Sequence, residues 1–339
     1  MISASPLGAS LSSPPPEFSA EVAAQEVAAH FGLRGVFAPL TSERDVNYRL
    51  TTDRGSFVVK LANPAEPAEV TAFQTQALVH LEAADVPVPR VLRTNAGACE
   101  VALPQGILRV LTYLDGQMMY RALPSAGLRA SVGSMAARLA LGLRGFDHPA
   151  ASHVLQWDIK QARTLRPLLQ DVPDDLRALA TSVLDRFDAD VAPRLPGLRW
   201  QVVHNDLNPH NVLVSDDGLS VTGILDFGDM VRTPLVCDLA VAASYQVDAA
   251  APLTSLIDIA AAYHAALPLR RDEAAMLLPL TETRWLTTLC ITAHRAARYP
   301  QNAAYILRNM PVSRAGLLAF AALDRAEATQ TLLTALRLT

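Results

Sequence analysis

Two short polar clusters hold the residue types from which a chemical centre can be built. The first reads His204-Asn205-Asp206-Leu207-Asn208-Pro209-His210-Asn211, the second Asp226-Phe227-Gly228-Asp229. Each closes an apolar run, Val202-Val203 before the first and residues 221–225 before the second. Between them Asp216-Asp217-Gly218 predicts the turn of a hairpin pairing 212–214 with 219–225, because glycine tolerates the positive φ such turns need. That hairpin would bring Asp206, Asn211 and Asp226 to one edge. Phosphoryl transfer needs these groups. Asp206 would take the proton from an acceptor hydroxyl, while Asn211 and Asp226 would offer hard oxygens to the Mg²⁺ that neutralises a triphosphate. Either cluster alone is weak evidence, since two polar turns flanking a solvent-exposed hairpin would look similar. Both in order, each after a strand-like run, make a strong signal.

The elements that must position these residues can be read outward from them. Upstream, the run 56–61 predicts a strand in which Lys60, among Phe57, Val58, Val59 and Leu61, can extend to phosphate as a point charge. An edge-strand lysine facing water is the plain reading of Lys60 alone, and its place ahead of the polar clusters favours phosphate. Strands over 35–40 and 47–50 flank a polar turn at 41–45, after a short amphipathic helix over 17–30 that Gly32 and Gly35 break. A helix over 66–84 buries Val70, Phe73, Ala77, Leu78 and Leu81 on one face. Its Gln74 stands where a partner for Lys60 is expected, one that would hold the amine without neutralising it. The stiff connector Val86-Pro-Val-Pro-Arg90 leads into strands at 91–93 and 107–114. The second of these, with Thr112 and Leu114 near its end, offers backbone groups to a purine edge before Asp115-Gly116. Beyond it the pattern turns helical at 128–143, 159–169, 174–192, 234–246, 253–266, 272–297 and 317–338, with no repeat period.

A chain of 339 residues exceeds what one core usually supports, so two domains are expected. Half of the residues are hydrophobic and 18% charged, the balance of a soluble globular protein. A net charge of −4 gives no sign of a nucleic-acid or membrane-surface partner. No apolar run is long enough to span a bilayer. Three cysteines, Cys99, Cys237 and Cys290, lack metal-ligand spacing, and their odd number suggests reduced thiols in a cytoplasmic setting. Residues 1–16, rich in Ser and Pro without a basic start or an apolar core, read as a disordered leader.

From about residue 20 onward the chain resembles the superfamily of aminoglycoside phosphotransferases, homoserine kinases and choline kinases, which is protein-kinase-like. The resemblance rests on His204-x-Asp206 with Asn211 five residues on, followed by Asp226-Phe-Gly. The hydroxylysine-kinase-like branch, including kinase domains fused to aminotransferase-like enzymes, looks nearest. Its likeness lies in Leu40-Thr-Ser-Glu-Arg-Asp-Val-Asn-Tyr48, in Phe73-Gln74, in Ile224-Leu-Asp-Phe-Gly-Asp-Met-Val231 and in Thr233-Pro-Leu-Val-Cys-Asp-Leu-Ala240. It implies an α+β, bilobal fold: a small antiparallel-sheet lobe with one helix over 17–114, binding nucleotide, and a large, mainly helical lobe over 115–339, binding the acceptor. It implies Asp206 as base, Asn211 and Asp226 as Mg²⁺ ligands, Lys60 on the phosphates of ATP or GTP, and Ser42 to Asn47 as the phosphate loop. Asn205 departs from the family, which commonly has glycine there.

The remaining polar residues divide by role. His204 is expected to brace its loop, and His210 has no third ligand with which to make a zinc site. Asp238 is expected to cap its helix or brace the loop. Asp229, three residues past a metal ligand, is placed to hold a substrate ammonium. Arg284 and Trp285 could close the other side of the acceptor, Arg284 by gripping a carboxylate bidentately, although Trp285 also reads as core. The leading function is transfer of a γ-phosphoryl group to a hydroxyl of a small amino compound of the 5-hydroxylysine kind. The alternatives are homoserine, choline or ethanolamine, or an aminoglycoside as acceptor, and, from another class, a nucleotide-binding pseudokinase. Asp206, Asn211 and Asp226 are all present, against the last. Scattered acids after residue 250 give no surface for a polycationic antibiotic. The sequence says nothing of oligomeric state.

Overall fold

The computed structural model describes residues 13–42 and 44–339, so most of the expected leader, and Glu43 of the expected phosphate loop, lie outside the described residues. The described chain divides into two compact units, one running to Asp115 and including His148–His153, the other made of Gly116–Asp147 and Val154–Thr339.

The first unit opens with α1 (Ala20–Phe31), which Ser19 caps and Gly32 ends at φ 66°. It continues through β1 (Val36–Leu40), β2 (Val46–Thr52), β3 (Gly55–Ala62), α2 (Ala68–Leu81), β4 (Val101–Leu103) and β5 (Gly106–Thr112). The strands form one antiparallel sheet in the order β1-β2-β3-β5-β4. Side chains alternate along a strand. Tyr48 and Leu50, Phe57, Val59 and Leu61, and Leu108 and Val110 therefore share a face, where they meet Ala23, Val27 and Phe31 of α1. Lys60 points to the other face, in register with Asn47 on one side and Arg109 on the other. Phe73 of α2 packs against His148 (5.5 Å) and His153 (6.2 Å), which accounts for that segment's membership of this unit. The strand expected at 91–93 is a single bridge, Val91 to Leu111. β4 was not anticipated, because three residues are too few to show an alternation.

In the second unit the elements are β6 (Gln117–Met118), α3 (Ala126–Gly142), a 3₁₀ helix (Ile159–Asp171), α4 (Asp174–Arg186) and a π turn (Phe187–Val191). Then come β7 (Trp200–Val203), β8 (Val212–Val214), β9 (Val221–Ile224), β10 (Val231–Pro234), α5 (Leu235–Ser244), α6 (Pro252–Ala266) and α7 (Arg271–Arg298). α8 (Ala303–Ile306), α9 (Met310–Ala321) and α10 (Arg325–Ala335) complete it. The strands make two small sheets, β6-β8-β9 and β10-β7.

α7 is the axis of this unit, and every residue of 280–295 in it is buried. A helix enclosed on all sides must satisfy its polar groups internally. The hydroxyls of Thr281, Thr283, Thr287 and Thr292 donate to carbonyls four residues back, at 2.7–2.8 Å. Glu273 and Glu282, both buried, are paired with Arg199 and Arg325. The helix expected at 317–338 is two, because Asp324 caps α10 by accepting the Glu327 N–H at 2.9 Å. That expected at 159–169 is 3₁₀ and contains Pro167. β10 escaped the sequence because Pro234, its last residue, reads as a helix start. Among the described residues no helix is long and apolar enough to cross a membrane.

Candidate active site

The site in the second unit is built on the loop that follows β7. His204, fully buried, directly follows the strand. Its Nδ1 accepts the Asp206 N–H (3.2 Å), so Nε2 carries the proton that reaches the Leu225 carbonyl (3.0 Å). The ring meets Phe227 edge-on at 4.8 Å. This histidine ties the two polar clusters together and presents no free nitrogen for chemistry. Asn205 takes a left-handed φ of 64°, and its N–H donates to Asp238 Oδ1 at 2.7 Å. Asn is among the few side chains that accept this conformation. Asp238 is buried at the start of α5; burial pushes its carboxyl up, against the pull of His204 and of the Asn205 N–H.

Asp206 is held by three side chains. Asn208 Nδ2 and Asn211 Nδ2 donate to Oδ2 at 2.8 and 2.7 Å, and Arg284 Nη2 reaches Oδ1 at 3.3 Å. Asn211 also donates to the Asp206 carbonyl at 3.1 Å. The β8–β9 hairpin brings Asn211 and Asp226 to the same end. Val212 pairs with Ile224, and the Leu225 N–H donates to the Asn211 carbonyl at 2.7 Å. Asp226 turns at φ 56° and its Oδ1 accepts the Gly228 N–H at 3.2 Å.

These two residues fit a hard divalent cation. With Nδ2 of Asn211 committed to Asp206, its Oδ1 faces away from that carboxylate, and exposed Asp226 adds anionic oxygen. No group of three His, Cys, Asp or Glu gathers among the described residues. Mg²⁺ suits so sparse a donor set, since it keeps water and substrate phosphates as further ligands.

The acceptor-side expectations fare differently. Asp229 is half-buried and near enough to support the charge of Arg284. Arg284 reaches Asp206 Oδ1 with its Nη2 at 3.3 Å, and its buried Nε has no acceptor. Trp285 does not reach an acceptor: it is 1% exposed, its indole donates to the Ser244 carbonyl at 2.8 Å, and its ring meets Phe320 at 4.8 Å. Gly316 makes room for that ring, since a Cβ there would overlap it. Sequence reading missed Asn208, whose spacing two residues after Asp206 was a usable signal. It also missed Trp157 and Tyr245, which touch Arg284 and carry no signal in sequence.

Within the first unit, the acidic partner of Lys60 is Asp45, 3.1 Å away. Gln74 accepts from buried Arg109 at 3.2 Å and donates to Glu66 at 3.3 Å, so the cation that engages this part of α2 is Arg109 of β5. Asn47 lies in β2 rather than in a loop, with its Oδ1 buried and unpartnered. Ser42 is half-buried. Thr112 ends β5, two residues earlier than expected, and its hydroxyl accepts the Arg90 N–H at 2.9 Å; Leu114 follows, half-buried.

A bracing histidine, a carboxylate fixed by amides, and two side-chain oxygens at a hairpin's end are groups of the kind phosphoryl transfer needs. The sequence profile of the phosphotransferase enzyme family matches residues 36–278, and the chain belongs to that family. It is 29% identical over 303 residues to hydroxylysine kinase of Danio rerio, covering 83% of this chain and 84% of the relative. Over 264 residues it is 31% identical to homoserine kinase of Rhodospirillum rubrum, covering 71% and 78%. Among solved structures, amicoumacin kinase hAmiN in complex with AMP-PNP, Ca²⁺ and Ami shares the fold, with a TM-score of 0.68 at 13% identity over 91% of this chain and 97% of that one. The protein is a small-molecule kinase with an alcohol group as phosphoryl acceptor.

Proposed function

We propose that the chain transfers the γ-phosphoryl group of ATP or GTP, taken as the Mg²⁺ complex, to the side-chain hydroxyl of a small hydroxy amino compound of the 5-hydroxylysine kind. The hydroxyl oxygen attacks the γ-phosphorus, its proton passes to Asp206, and the bond to the β-phosphate oxygen breaks, releasing the nucleoside diphosphate. The observation that carries this reading is the Asp206 carboxylate, oriented by Asn208, Asn211 and Arg284 beside the Asn211–Asp226 oxygen pair. Those two oxygens would hold the metal. Lys60 serves the nucleotide phosphates, with Ser42 and Asn47 nearby in sequence; the segment of Thr112 and Leu114 serves the base. Asp229 serves the acceptor's ammonium, which needs a carboxylate when it leaves water.

The hydroxylysine kinase of Danio rerio, aligned over most of both chains, supports the acceptor class. Homoserine is the second reading, on the strength of the relative that is 31% identical. All three cysteines are free thiols, which supports a cytoplasmic setting. Nucleotide consumption measured with 5-hydroxylysine, homoserine, ethanolamine, choline and an aminoglycoside, each with ATP and with GTP, tests the proposal. Hydroxylysine should lead in kcat/KM by about tenfold or more, the size of one charged contact. A lead for homoserine would move the acceptor to the second reading, and turnover of none would remove the acceptor class.

A further inference from the structure

Arg284 is a deeply buried charge beside the site, with 2% of its side chain exposed against 18% for Asp206. Its guanidinium is fixed from several directions. Nη1 donates to the Trp157 carbonyl at 2.7 Å, Nη2 to Asp206 Oδ1 at 3.3 Å and to the Tyr245 hydroxyl at 3.4 Å, and the Trp157 ring lies 5.5 Å from its centre. Nε has no acceptor and is buried. A cation at this depth persists only where it is paired. The carboxylate it touches is that of Asp206, and Asp229 supports its charge from farther away.

We propose that Arg284 is a positioning residue for Asp206, not a ligand for the substrate. Asn208 and Asn211 both donate to Oδ2, and Arg284 adds the hold on Oδ1, so that each carboxylate oxygen has a donor. Turning the carboxylate about its Cβ–Cγ bond then costs contacts at both oxygens. The place of Arg284 is set by α7, by the carbonyl of Trp157 ahead of the 3₁₀ helix, and by Tyr245 at the end of α5. The base is therefore oriented by the packed interior of the second unit. Two observations count against the bidentate grip on a substrate carboxylate expected from sequence. Arg284 is far less exposed than the residue it touches, and Nη2, one half of its side-on fork, already donates twice.

The inference rests on Asp206 being the base, and the experiment separates the two. Arg284→Met and Arg284→Lys are assayed with 5-hydroxylysine and with the diamino alcohol that lacks its carboxylate, alongside Asp206→Asn and the double variant Asp206→Asn/Arg284→Met. Arg284→Met should lower kcat by about ten- to a hundredfold for both acceptors alike, with both acceptor KM values and the Mg–nucleotide Kd within about threefold of wild type. Lysine should recover part of the loss. In the Asp206→Asn background the second substitution should cost no further kcat, a result that a general loss of packing would not give. A rise in KM confined to the carboxylated acceptor would make Arg284 a substrate anchor and overturn the proposal, as would an unchanged kcat. If Arg284→Met does not fold, Arg284→Lys carries the same kcat-against-KM comparison. If Asp206→Asn itself keeps its turnover, it is the assignment of the base that fails.

Discussion

Around Asp206 each donor has a separate task, and substitutions should separate them. Asp206→Asn keeps an acceptor for Arg284 but removes the base, so kcat should fall by about a hundredfold or more while nucleotide affinity holds. Turnover within a few-fold of wild type would take Asp206 out of the mechanism. Asp226→Ala should abolish the Mg²⁺ dependence of triphosphate binding, and calorimetry showing unchanged Mg–nucleotide affinity would contradict the metal assignment. Asp229→Asn should raise the acceptor KM about tenfold and leave the nucleotide KM in place, the effect of one lost charged hydrogen bond. Equal effects on both would move Asp229 to the metal. The core of this constellation was legible in sequence because it is local: Asp206, Asn211 and Asp226 span twenty-one positions and one hairpin. Arg284 lies 78 residues from Asp206, and only packing of α7 brings it there. No spacing rule encodes such a contact, so the contact itself, with Trp157 and Tyr245, went unseen.

At the scale of elements, the turn between β7 and β8 is braced from α5. Asp238 accepts the Asn205 N–H where the backbone is left-handed, and burial holds its carboxyl above the ordinary range. The sign of the pH dependence follows. A carboxyl raised in the folded state gives up its proton sooner in the unfolded chain. Its contribution to stability is whole below a pH of about 4, the unfolded value, and is lost as pH rises through the folded value. Asp238→Asn retains an acceptor for Asn205 and cannot ionise, so its Tm should fall less than that of wild type between about pH 4 and 7. Parallel Tm profiles for the two would show that Asp238 does not titrate in this interval. Long amphipathic and buried helices such as α3, α6 and α7 were readable from apolar spacing. β4, β6 and the π turn were not, because two to five residues hold too little pattern to identify an element.

For the molecule as a whole, burial decides which thiols chemistry can reach. Cys237 and Cys290 are fully buried, and burial raises both thiols, that of Cys290 to about 12. Cys99 is partly exposed. A thiol reagent at neutral pH should therefore titrate one equivalent in the native enzyme and three after unfolding, as the three cysteines of the sequence require. A native count above one would mean that the second unit opens on the timescale of the reagent. Length and the change of pattern near residue 115 are what the sequence offers in favour of two parts. That His148–His153 belongs with the first unit did not, because Phe73 draws it there by packing alone.

Asn63, at the end of β3, joins two segments of the first unit. Its amide donates to the carbonyls of Pro14 (2.8 Å) and Arg44 (2.9 Å), and its N–H to Asp45, the partner of Lys60. A few residues on, the Tyr48 hydroxyl donates to the Phe18 carbonyl at 2.7 Å. The stretch ahead of α1 is thus mechanically continuous with Lys60 through its partner Asp45. An affinity tag or reporter protein fused close before Pro14 would pull on that join. Assays of nucleotide affinity should accordingly keep any purification handle away from that stretch.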